Sequence, residues 1–138
     1  MLMIFLLSAQ DGTESGSLSE WFLSTPVGRW LISFLPEITD EGPELDIRKY
    51  AHMTEYALLA VSSGLFFRTL LRENLVCLSG LSALVLCFLY ACTDEFHQHF
   101  VPGRAGTFTD VLIDTAGALA GLLVLSVFCL TGKRKETE

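Results

Sequence analysis

Long apolar blocks limit this chain more tightly than any motif in it. Residues 75–93 run without a single charge, and residues 110–131 carry only Asp110 and Asp114, both at their start. Residues 50–71 are apolar between a polar beginning and a basic end. A water-soluble helix or strand alternates apolar with polar positions, because one face must meet water. A helix in hydrocarbon needs no polar face, and about 20 residues carry it across. The chain is 51% hydrophobic with mean hydropathy +0.47, and its 138 residues leave room for one domain. The expectation is an all-α fold: a small polytopic transmembrane helix bundle with about four membrane segments and short interfacial helices.

The segments divide as follows. Residues 1–9 are apolar but too short to span, and they lack the basic start of a signal peptide, so they read as a short or truncated first segment. Residues 10–46 form an acidic stretch with eight Asp and Glu against one base, Arg29, and Pro and Gly break it repeatedly. Pro26 interrupts its apolar part, which favours two short interfacial helices with Trp21 and Trp30 at headgroup level. Residues 47–72, 75–93 and 110–131 follow as spans. A polar segment, 94–109, lies between the last two, and a basic tail closes the chain at 132–138. Gly117 and Gly121 form a G-x-x-x-G, the spacing that lets two helices approach closely.

Charge supplies a direction. Short Lys- and Arg-rich loops stay cytoplasmic. Lys133, Arg134 and Lys135 therefore place the C-terminus inside, and Arg68 and Arg72 place the turn after the second span there too. The acidic stretch is then outside, and the N-terminus inside. A formal charge of -7 with no basic stripe argues against a nucleic-acid partner. The four cysteines, Cys77, Cys87, Cys92 and Cys129, all lie in apolar blocks with no C-x-x-C pair, so they read as small hydrophobes.

This orientation gathers the ionisable residues at the outer face. Lys49, His52, Glu55 and Tyr56 begin the second span, Asp94, Glu95, His97 and Gln98 follow the third, Arg104 is in the outer loop, and Asp110 and Asp114 begin the fourth. Polar groups at a membrane edge are costly unless paired or used. His52 is the natural general acid or base, with Glu55, Asp94 or Glu95 to orient it and Arg104 to grip an anion. Lys49, Tyr56, His97, Gln98, Asp110 and Asp114 complete a binding set. Anionic groups available there include lipid headgroups and lipid-linked cell-wall precursors. No G-x-S-x-G, activated cysteine or Gly-rich phosphate loop supports a covalent nucleophile, and no cofactor is indicated. The i, i+3 pairs His52/Glu55 and Asp94/His97 have the spacing of metal ligands, and on adjacent helices the two pairs could hold one ion, but such pairs arise often by chance and no metal site is assigned. The plainer alternative is a structural ion-pair network in a non-enzymatic membrane factor, with Asp110 as a helix cap and Arg104 neutralising Asp94 or Asp110. Asp114 fits that alternative worst, being a turn deeper.

The same residues carry a resemblance. Ile4-Phe5 through Ser8-Ala9-Gln10, Lys49-Tyr50-Ala51-His52 with Glu55-Tyr56-Ala57, and Tyr90-Ala91 with Thr93-Asp94-Glu95-Phe96-His97-Gln98 begin it. Phe100-Val101-Pro102-Gly103-Arg104, Asp110-Val111 and Asp114-Thr115-Ala116-Gly117 complete it in order. In these motifs the chain resembles the VanZ-like family of bacterial membrane proteins. The resemblance implies a small multi-helix protein of the bacterial cell membrane, whose name-giving relative is linked to resistance to the glycopeptide teicoplanin. It implies no settled biochemical activity.

Overall fold

The computed structural model describes residues 12–38, 42–71, 76–104 and 106–135. Every regular element among them is a helix: α1 (Gly12–Ser24), α2 (Pro26–Ile32), α3 (Pro43–Leu70), α4 (Val76–Gln98) and α5 (Phe108–Lys135). The expected first segment, residues 1–9, lies outside the described residues, as does the turn carrying Arg72.

Local chemistry sets the helix ends. Pro26 opens α2 with its fixed φ, while the Thr25 hydroxyl accepts from Gly28 N at 3.0 Å. Pro43 opens α3 after Gly42, whose φ of 111° suits only glycine. α4 does not stop at residue 93, as hydropathy alone predicts, but continues to Gln98. Hydropathy marks where the side chains turn polar; the helical ladder runs on to the bond from His99 N to Glu95 O, and tighter turns then lead to Pro102-Gly103, where Gly103 takes a φ of 74°. Asp94, Glu95, His97 and Gln98 are therefore helical residues on a rigid element, not members of a loop.

α3 and α5 run parallel and pack most extensively, with α4 antiparallel against both. Glycine makes the α3–α5 seam possible. A Cβ at Gly117 would run into the Met53 carbonyl, and one at Gly121 into that of Ala57. At the far end of this pair the Arg68 guanidinium donates to Cys129 Sγ at 2.8 Å. The acidic stretch is tied to α3 by two bonds: Tyr50 Oη to Pro36 O, 2.6 Å, and Ile38 N to Asp46 Oδ1, 3.2 Å.

The interior is small and partly polar: Ala60, Ala83, Cys87, Ala91 and Ala118 are buried beside Tyr56, and so are Asp94, Glu95 and Asp114. The large apolar side chains are outside, among them Leu58, Phe66, Leu81, Leu89, Leu112, Leu123, Val124 and Phe128. A soluble protein distributes these residues the other way. Among the described residues, two helices, Cys77–Gln98 and Phe108–Cys129, are long and apolar enough to cross a membrane, with mean hydropathy 1.6 and 2.1. The charged first half of α3 keeps that helix outside this description, although at 28 residues it extends about 42 Å.

Candidate functional site

The ionisable end of the bundle contains a cavity of about 610 Å³. Helical spacing builds its walls. α3 contributes Leu45, Arg48, Lys49 and His52, which recur every three or four residues along one stripe. α4 supplies Glu95 and Gln98 by the same rule, and α5 supplies Asp110, Ile113 and Asp114. Gly103, Arg104 and Thr107 close the cavity from the connection between those two helices.

That connection is docked by specific contacts. Thr107 N donates to Glu95 Oε2 at 3.1 Å, and a Cβ at Gly106 would collide with the Glu95 carbonyl. Thr107 also prepares the start of α5: its hydroxyl accepts from Asp110 N at 3.3 Å and donates to Asp110 Oδ2 at 2.7 Å. Capping thus falls to Thr107 rather than Asp110, because Asp110 is already inside the first turn. Asp110 instead forms an ion pair with Lys49, Nζ to Oδ1 at 2.9 Å, joining α3 to α5 across the cavity wall.

Beneath the wall the polar groups are deeply buried. The Gln98 amide donates to Asp94 Oδ2 at 3.2 Å and to Glu95 Oε1 at 3.0 Å, so it holds two carboxylates on one turn of α4. Asp94 and Asp114 are each only 2% exposed. Asp94 Oδ1, Asp114 Oδ2, His52 Nδ1 and the Tyr56 hydroxyl are buried with no hydrogen-bond partner among the described residues. The Tyr56 ring lies 6.2 Å from that of Tyr90. One ligating atom from each of His52, Asp94 and Asp114 lies within 4.8 Å of the other two. The donors that meet come from three helices: one member of each expected i, i+3 pair, His52 and Asp94, with Asp114 in place of their partners. Glu55 and His97 are not part of that trio.

Seven of the eleven expected site residues line the cavity itself: Lys49, His52, Glu95, Gln98, Arg104, Asp110 and Asp114. Asp94 and Tyr56 lie under it. Glu55 is half-buried on α3 and within electrostatic reach of Asp94, whereas His97 is half-buried on α4 and is not a lining residue. Arg48, expected at this membrane level but not as a site residue, lines the cavity, and so does Thr107, which was not expected there. For Arg48 the signal was present, since it stands four residues before His52 on the same face of α3. Thr107 offered none, because its contact to Glu95 depends on how the connection folds back.

Compared with known proteins, the chain matches a family model described as VanZ/LLP1 over residues 1–129. It matches no curated protein and no solved structure.

Proposed function

This chain belongs to the VanZ/LLP1 family, and from that premise we propose that it is a multi-pass protein of the bacterial cell membrane. In this reading its cavity binds the anionic headgroup of a lipid or lipid-linked cell-envelope precursor at the extracytoplasmic face. The observation that carries the reading is the convergence of Arg48, Lys49 and Arg104 on one cavity, at the end of a bundle whose outer surface is apolar. A lipid has both parts of the matching chemistry: chains that follow the apolar surface and a phosphate that meets the bases. The basic end of the bundle, with Arg68 and the Lys133–Lys135 tail, supports an orientation with both termini in the cytoplasm and the cavity outside. Sequestering an envelope precursor there would connect the fold to glycopeptide resistance.

A structural ion-pair network has the Lys49–Asp110 bridge in its favour. It accounts poorly for the floor, since a network that exists for stability pairs its buried members, and four atoms there have no partner among the described residues. His52 is the cavity's candidate acid–base group, and it is the residue to remove when looking for turnover.

The test uses the purified full chain in neutral detergent, titrated with short-chain phosphatidic acid and with phosphatidylcholine of the same chain length. Phosphatidic acid should bind at least tenfold more tightly. Arg104→Lys should lose about tenfold, or ~1.4 kcal/mol, because a planar fork becomes a point charge. Equal affinity for the two lipids, or an Arg104→Lys variant that binds like wild type, refutes the headgroup reading. Mass spectrometry of the same mixtures reports any product, whose loss in His52→Ala would add catalysis to binding.

A further inference from the structure

We propose that the cavity floor is a binding site for one divalent metal ion of the Mn²⁺ or Zn²⁺ class, held by His52, Asp94 and Asp114. Geometry is the first ground. The three ligating atoms lie within 4.8 Å of one another, and in a tetrahedral site with bonds near 2.1 Å such atoms are about 3.4 Å apart, within reach of small rotations of these side chains. Burial is the second and independent ground. Asp94 and Asp114 are 2% exposed, and each keeps a carboxylate oxygen without a partner among the described residues, as does His52 with Nδ1. When ionised, such buried atoms call for a partner other than bulk water, and a metal ion is one that all three could share.

Charge is the third ground. Asp114 feels the carboxylates of Glu55, Asp94, Glu95 and Asp110. A divalent ion set among these carboxylates would relieve their mutual repulsion. The ligand types narrow the class. Two carboxylates alone would suit Mg²⁺ or Ca²⁺, while an imidazole in the set favours Mn²⁺ or Zn²⁺. Three protein ligands also leave a coordination position open, and His52 and Asp114 both line the cavity, so that position faces it. An anionic oxygen entering beside Arg104 would complete the shell. This use of the ion rests on the headgroup reading; the ion site itself does not.

The test begins with full-length protein in detergent, stripped by chelator and then dialysed against Mn²⁺ or Zn²⁺. Elemental analysis should find about one ion per chain. His52→Ala and Asp114→Asn should retain less than a tenth of that, and Ser62→Ala, on an exposed face of α3, should retain it all. Bound Mn²⁺ should show nitrogen coupling by pulsed electron paramagnetic resonance, lost in His52→Ala. If the variants fail to accumulate, the wild-type stoichiometry and nitrogen coupling still decide. No ion above background in the wild type, or one retained in full by His52→Ala, overturns the site. Phosphatidic acid titrations with and without metal separate the two ideas. A bound ion with no lipid preference leaves the metal site and removes the headgroup reading, while a lipid preference with no bound ion does the reverse.

Discussion

Asp114 concentrates the chemistry of this protein at the scale of one residue. It stands one turn inside α5, is almost fully buried, and has one oxygen with no partner among the described residues. An unpaired buried polar group costs on the order of 1–3 kcal/mol, and a charged one more. Asp114→Asn removes the carboxylate but keeps its shape and polarity, so it should leave the metal-stripped protein at least as stable as wild type, as judged by thermal unfolding in detergent. A large loss of stability would instead make Asp114 a structural anchor with a favourable role in the apo bundle. His52 and Arg104 were legible as candidates because their chemistry is distinctive wherever they fall. Asp94 and Asp114 were legible as polar residues near apolar ones. Asp94 was one of three carboxylates expected to orient His52, but nothing in the sequence singled it out from Glu55 and Glu95 or joined Asp114 to the pair, since these contacts link positions 20 and more residues apart.

Elements matter here through the seam between α3 and α5. Gly117 and Gly121 bring α5 against the backbone of Met53 and Ala57, one turn beyond His52. That contact fixes the height and rotation at which Asp114 faces α3. Gly121→Leu should force the helices apart, cost about 1–3 kcal/mol by overpacking, and weaken ion binding without touching a ligand. Gly80 supplies the contrast, because a Cβ there meets nothing within 4 Å. Gly80→Ala should be neutral or stabilise α4 by up to about 1 kcal/mol. Thermal unfolding of both variants checks the pair; equal stability of Gly121→Leu and wild type would mean the seam is not tight. The G-x-x-x-G spacing announced such a seam, but only packing identified α3 as its partner. The true end of α4 was hidden for a different reason: polarity changes at Asp94 while helical hydrogen bonding continues for another turn.

For the whole molecule, the distribution of side chains is inverted relative to a soluble protein, with alanine, cysteine and carboxylates inside and leucine, valine and phenylalanine outside. The proposed orientation can be checked in a cysteine-free background carrying single cysteines. Phe100→Cys, beside the cavity, should react in intact cells with a membrane-impermeant maleimide, whereas Leu70→Cys, at the Arg68 end, should react only after permeabilisation. The opposite pattern would turn the protein over and place its cavity in the cytoplasm. The sequence started the second span at residue 47, whereas α3 opens at Pro43. By itself it determined the helical class, the break at Pro26, and the gathering of His52, Asp94, Arg104 and Asp114 at one level. These follow from local properties: backbone hydrogen bonding, side-chain hydropathy and the 3.6-residue repeat. Only the tertiary structure decided which of those groups touch. Spacing relates residues on one helix, but contact between helices depends on their rotation and offset, and here the close glycine packing of α5 on α3 sets both. For that reason the pairs His52/Glu55 and Asp94/His97 gave way to a trio drawn from three helices.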